Sequence, residues 1–196
     1  MKNIIPKDTR YIPLTQQKSC CAPASISMVM YKLGLPLMPQ ELLGYYLGLV
    51  VSKDDQYLFW SAKTGKKPRH GYGTRVGLKK YNPNQVFKKL GVPLRMTIHP
   101  IAKFKTKKEF ISFILNRIKK DEDILTCFHN GILNGNDKNG GHVCVVDRIY
   151  PAKNKIRLID PSPNQPKWRE VEIDRLKRAM ELHPTNGGGF WELERI

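Results

Sequence analysis

At 196 residues the chain has the length of one ordinary domain, read here as spanning 1–196, and is long enough to bury a core without disulfide staples. An apolar share of 40% excludes a wholly disordered chain, and no run approaches the roughly 18 consecutive apolar residues of a membrane-spanning helix. The formal net charge is +17, and it is concentrated: residues 53–120 hold 18 basic and 3 acidic side chains. That stretch reads either as a contact surface for a polyanion (nucleic acid, an anionic membrane, an acidic partner) or as a solvated basic face.

In chain order, residues 1–19 are polar and irregular, with a strand-like YIPL at 11–14. Residues 22–33 carry apolar side chains at Ile26, Val29, Met30 and Leu33, the helical period. Pro23 suits a first turn and Gly34 a stop, so this helix opens at the pair Cys20–Cys21. A short second helix is predicted over 39–47 and a long Lys- and Gly-rich loop over 51–80. Asn82 caps a helix with Pro83 in its first turn, ending at Leu90–Gly91. Residues 92–98 alternate like a strand. Thr106 to Glu109 form a capping box ahead of an amphipathic helix over 110–120. The remainder reads as sheet, with strands over 124–129, 142–150 and 155–160, a turn over 134–141 and a proline-rich loop over 161–166. A last helix is predicted over 173–182. A flexible turn at Gly187–Gly189 then leads into a last strand over 189–193. There is no internal repeat. Helices followed by an antiparallel sheet make an α+β pattern.

The four cysteines are Cys20, Cys21, Cys127 and Cys144. Adjacent cysteines do not form an ordinary disulfide framework, and the other two sit in core-like strands. The pattern fits buried thiols in a reducing compartment plus one reactive thiol. The N-terminus has no apolar signal-like region, so a cytoplasmic protein is expected. Zinc-ligand spacing is missing, and no metal or cofactor is expected.

Three features share one order: Gln16-Gln17-Lys18-Ser19-Cys20-Cys21-Ala22-Pro23-Ala24-Ser25, then Gly140-Gly141-His142-Val143, then Leu158-Ile159-Asp160-Pro161. A thiol attacks as thiolate, and a helix N-terminus stabilises that anion. An imidazole can take the thiol proton and return it to a leaving group, and a carboxylate can fix the imidazole's tautomer. An upstream glutamine amide and the cysteine's own N–H can hold the oxyanion of acyl transfer. If residues 142 and 160 lie on strands joined by the turn at 151–154, the carboxylate reaches the ring.

This constellation resembles the papain-like cysteine peptidases. The closest likeness is to the bacteriocin-processing, double-glycine-leader peptidase family and its stand-alone relatives. Cys21-Ala22-Pro23-Ala24-Ser25 matches the family's helix start, Gly141-His142 its histidine motif, and Asp160-Pro161 its third element. Ala22 stands where the family usually has glycine, and Cys20 where aspartate is common. The resemblance implies a papain-like α+β fold with the catalytic cysteine at a helix start, packed on a C-terminal antiparallel sheet. It implies a Cys21–His142–Asp160 triad with Gln16 or Gln17 in the oxyanion hole, Gln16 preferred, and hydrolysis of a peptide or protein substrate. Two other readings keep the fold: a non-catalytic polyanion-binding protein, or an acyltransferase of the transglutaminase type. His70, His99 and His183 read as solvated or turn histidines. His129 reads as a cleft-lining candidate without a catalytic role. Trp60, Trp168 and Trp191 read as core or cleft wall.

Overall fold

The computed structural model describes residues 6–59, 65–136, 139–185 and 187–196; Trp60 and part of the turn predicted over 134–141 lie outside them. The centre of the fold is α1 (Cys21–Lys32), in which every residue from Ala22 to Met30 is buried. A helix apolar all round belongs in an interior. It ends where sequence predicts, with Gly34 left-handed at φ 66° and its N–H donating to the Tyr31 carbonyl. After α2 (Gln40–Tyr46), two-residue strands β1 (Val50–Val51) and β2 (Arg69–His70) pair in parallel and brace the predicted loop. Helix α3 (Pro83–Leu90) has the expected caps, Asn82 Oδ1 accepting from the Asn84 N–H at 3.0 Å and Gly91 left-handed. Helix α4 (Lys107–Lys119) carries the expected box, with both Thr106–Glu109 bonds at 3.1 Å.

The sheet holds six strands, β3 (Leu94–Pro100), β4 (Asp123–His129), β5 (Gly141–Tyr150), β6 (Lys155–Ile159), β7 (Trp168–Glu172) and β8 (Gly189–Arg195). Their order is β3-β8-β4-β5-β6-β7, and every pairing is antiparallel. Side chains alternate between faces. Leu125, Val143, Val145 and Trp191 pack towards α1, α2 and α3; Ile124, Phe128, Val146 and Phe190 pack against α4 and α6 (Ile173–Glu181). Both faces are covered, which is why β4 and β5 are nearly continuous apolar runs. The architecture is α+β and papain-like, as expected.

Several details differ from the sequence reading. Residues 11–14 are not a strand; Tyr11 is buried and donates its hydroxyl to Asp123 at 2.5 Å. The helix α5 (Asn130–Asn134) and strand β7 were not predicted. The last strand, β8, enters between β3 and β4, so neighbours in the sheet do not follow chain order. The glycine turn is not loose: Gly188 and Gly189 are buried, and a Cβ on Gly188 would lie 2.0 Å from the Met180 carbonyl oxygen. No helix among the described residues is long and apolar enough to cross a membrane.

Candidate active site

The two adjacent cysteines part company at the start of α1. Ser19, left-handed at φ 58°, turns the chain into the helix. Cys20 is then fully buried in a small cluster with Leu49, Val51 and Phe59, where burial pushes its thiol up to about 12. Cys21, the first residue of α1, is half-buried in the wall of a groove of about 760 Å³. Ser25, one turn on, donates its hydroxyl to the Val143 carbonyl at 3.1 Å and so fixes α1 against β5.

That docking brings the predicted residues together. In the β5–β6 ladder Val145 faces Ile159, which places Cys144 opposite Asp160 and His142 two residues on, along the same face. His142 Nε2 and Asp160 Oδ1 are 2.8 Å apart, both residues buried. With Nε2 engaged, Nδ1 is the nitrogen left for a sulfur. Burial raises the Cys21 thiol, but the hydrogen bond and charge of His142, helped by the backbone N–H groups of Val143 and Ala22, hold it below its ordinary value. Burial also opposes the imidazolium, yet Cys144, Asp160 and Cys21 around the ring keep His142 well above its ordinary 6.5. Asp160, though buried, is held below the usual carboxylate range by His142, by the Arg169 charge and by the Ser162 N–H, which donates to Oδ1 at 2.9 Å.

The glutamines also separate. Gln17 is exposed, with its N–H donating to Gln40 Oε1 at 2.9 Å. Gln16 lies in the groove wall with Cys21, its backbone N–H donates to the Pro161 carbonyl at 2.9 Å, and its Oε1 is buried without a hydrogen-bond partner. As first residue of α1, Cys21 has no i−4 carbonyl for its own N–H.

Two neighbours were not foreseen. Arg169 on β7 is buried, with Nε 3.1 Å from Asp160 Oδ2 and Nη1 2.8 Å from Asn134 Oδ1. Its surroundings, KWREVE, read as a polar run with no motif. His183, expected to be a solvated or turn residue, is buried in the groove wall with Nε2 3.5 Å from Cys127 Sγ. Its Nδ1 accepts the Thr185 and Gly187 N–H groups, each at 3.3 Å, so the proton sits on Nε2. His129 is not among the groove residues; its Nδ1 accepts the Gly131 N–H at 3.1 Å and caps α5. Trp191 lines the groove, and Trp168 donates its indole N–H to Thr9 Oγ1 at 2.8 Å. His142, Cys144 and Asp160 offer atoms within 4.8 Å of one another, a spacing a metal could use, but His142 Nε2 and the Asp160 oxygens are already occupied by each other, by Ser162 and by Arg169. The four cysteines are free.

A papain-like fold with a thiol, imidazole and carboxylate gathered at one groove defines the class as peptidase-like. The chain belongs to the Peptidase_C39 like family, whose model matches residues 9–182. Eleven solved chains resemble it in fold. Among them is a Bacillus anthracis protein designated a C39-like peptidase, at 12% identity and a TM-score of 0.58, with 98% of this chain and 99% of that chain covered. No curated protein matches the sequence.

Proposed function

We propose that the protein is a cysteine peptidase that cleaves a peptide or amide bond of a peptide or protein substrate through a thioester. The observation that carries this reading is geometric: Cys21, the one cysteine of the four that is half-buried rather than buried, shares a groove wall with His142, whose Nε2 lies 2.8 Å from the buried Asp160 carboxylate. The Cys21 thiolate attacks the scissile carbonyl carbon, and the oxyanion is held by the Cys21 N–H and the Gln16 amide. His142 gives its Nδ1 proton to the departing amine, leaving a thioester on Sγ. His142 then takes a proton from water, whose oxygen attacks the thioester carbon, and returns that proton to sulfur as the acid leaves. Asp160 holds the ring in the tautomer and orientation that both steps need.

The test is reaction with a peptide bearing an electrophilic chloromethyl ketone, followed by mass mapping. One adduct is expected, on Cys21, and it disappears in Cys21→Ala together with hydrolysis of a peptide library. An adduct on Cys20 instead, or hydrolysis persisting in Cys21→Ala, would reject the assignment.

A further inference from the structure

Away from the groove, a second concavity of about 460 Å³ lies among α2, the β1–β2 pair and α3. Five cationic side chains converge on it from three separate stretches: Lys66, Lys67 and Arg69 at β2, Lys80 ahead of α3, and Lys89 in the last turn of α3. No carboxylate lines it, and none of the five cations forms an ion pair with a described residue. Like charges gathered at a concave wall repel one another, and they raise the local concentration of anions there.

The pocket also carries aromatic surface. Tyr45 and Tyr46 meet edge to face with centroids 5.3 Å apart. Tyr81 packs directly on the backbone at Gly48, where a Cβ would come within 2.6 Å of the ring, and its hydroxyl accepts from Arg69 Nη2 at 3.2 Å. The Lys80 ammonium stands 5.5 Å from the Tyr81 centroid and Lys89 5.0 Å from that of Tyr46, so two of the cations are held beside rings. Gln85 adds an amide at the rim.

Cations alone would serve any polyanion. Cations beside tyrosine rings, with an amide and a volume in the range of small-ligand sites, match a phosphate joined to a flat base. We propose that this pocket binds a nucleotide unit, its phosphate on the Lys and Arg side chains and its base against the tyrosines, carried by a free nucleotide or by a single-stranded nucleic acid. An acidic peptide would use the cations and leave the rings without a partner. The site is separate from the thiol groove and shares no lining residue with it, although residues 72–78 between Arg69 and Lys80 wall that groove.

The test is calorimetry on the full chain with ATP, inorganic tripolyphosphate, a short thymidylate strand and polyglutamate, at about 50 and about 200 mM salt. ATP or the strand should bind, more weakly at the higher salt, and the tighter of the two identifies the source of the ligand. Lys80→Glu and Lys89→Glu should each weaken ATP binding about tenfold. Tyr45→Ser should weaken ATP about tenfold while leaving tripolyphosphate unchanged. An unchanged cooperative unfolding transition reports that each variant is folded and keeps this test independent of the peptidase reading. The proposal is overturned if no phosphate probe binds at low salt or if the lysine variants bind as the parent does. It is equally overturned if polyglutamate competes as well as the strand and Tyr45→Ser changes nothing, which would make the pocket a site for acidic peptides.

Discussion

Four thiols in one chain meet different surroundings, and reactivity follows the surroundings. Burial pushes Cys20, Cys127 and Cys144 each up to about 12, so they are neutral and unreactive at neutral pH. Cys21 moves the other way. Iodoacetamide at pH 7 should therefore place one carbamidomethyl group, on Cys21. Because Cys21 and His142 titrate as a coupled pair, alkylation should persist to a pH below the ordinary thiol range and be displaced upward in His142→Ala. Several labelled cysteines in the folded protein, or an unchanged profile in His142→Ala, would contradict that coupling. The second residue-scale prediction concerns Arg169. Removing one partner of a buried charge pair leaves the other short of compensation, so Arg169→Met should cost about 3 kcal/mol in denaturant unfolding. A loss below about 1 kcal/mol would class it with surface pairs. The thiol, ring and carboxylate were legible because each sits in a short motif with its own chemical reason. Arg169 and His183 were not, because their importance comes from what the sheet and the segment after α6 bring beside Asp160 and Cys127, and no local pattern encodes that.

The elements most legible in sequence were those whose ends are set by a single side chain. Asn82, Thr106 with Glu109, Gly34 and Gly91 all act within a turn of their own position, so local reading suffices. Strand β7 is an edge strand with exposed Glu170 and Glu172, and it lacks the apolar alternation that announces a strand. The entry of β8 between β3 and β4 is a long-range pairing that periodicity does not carry. The glycines before β8 follow from that pairing. The Gly188 carbonyl accepts the Ile101 N–H at 3.0 Å, and the backbone of α6 lies against its Cα. Gly188→Ala forces a methyl onto a carbonyl oxygen and should cost about 3 kcal/mol or more, whereas Gly187→Ala, whose Cβ would come no closer than 3.4 Å to His183, should stay within about 0.5 kcal/mol. Equal unfolding midpoints for the two variants would refute the packing account.

Across the whole molecule the excess of cations leaves most carboxylates with a basic neighbour, and the consequence is a specific acid lability. Asp8, Asp121, Asp174 and Glu194 are all held below their ordinary values by such neighbours. Their side chains are 41–73% exposed, so solvent screens them and each contributes little. Asp160 is different: it is buried and faces two cationic partners. Its folded value lies below the ordinary 3.8, so the stability it confers is complete above that pH and is lost as pH falls through the folded value. His142 has the opposite sign: its contribution is complete below 6.5 and is lost as pH rises through its raised folded value. The site is thus best held at intermediate pH. Acidification also discharges the other carboxylates and adds to the repulsion inherent in a net charge of +17. That second effect is common to the parent and to Asp160→Asn, and it cancels when the two unfolding free energies are subtracted at each pH. The difference should favour the parent at neutral pH and shrink steadily below about pH 4 as Asp160 takes up its proton. A difference that stays constant down to about pH 2 would mean that the carboxylate is not held ionised by His142 and Arg169.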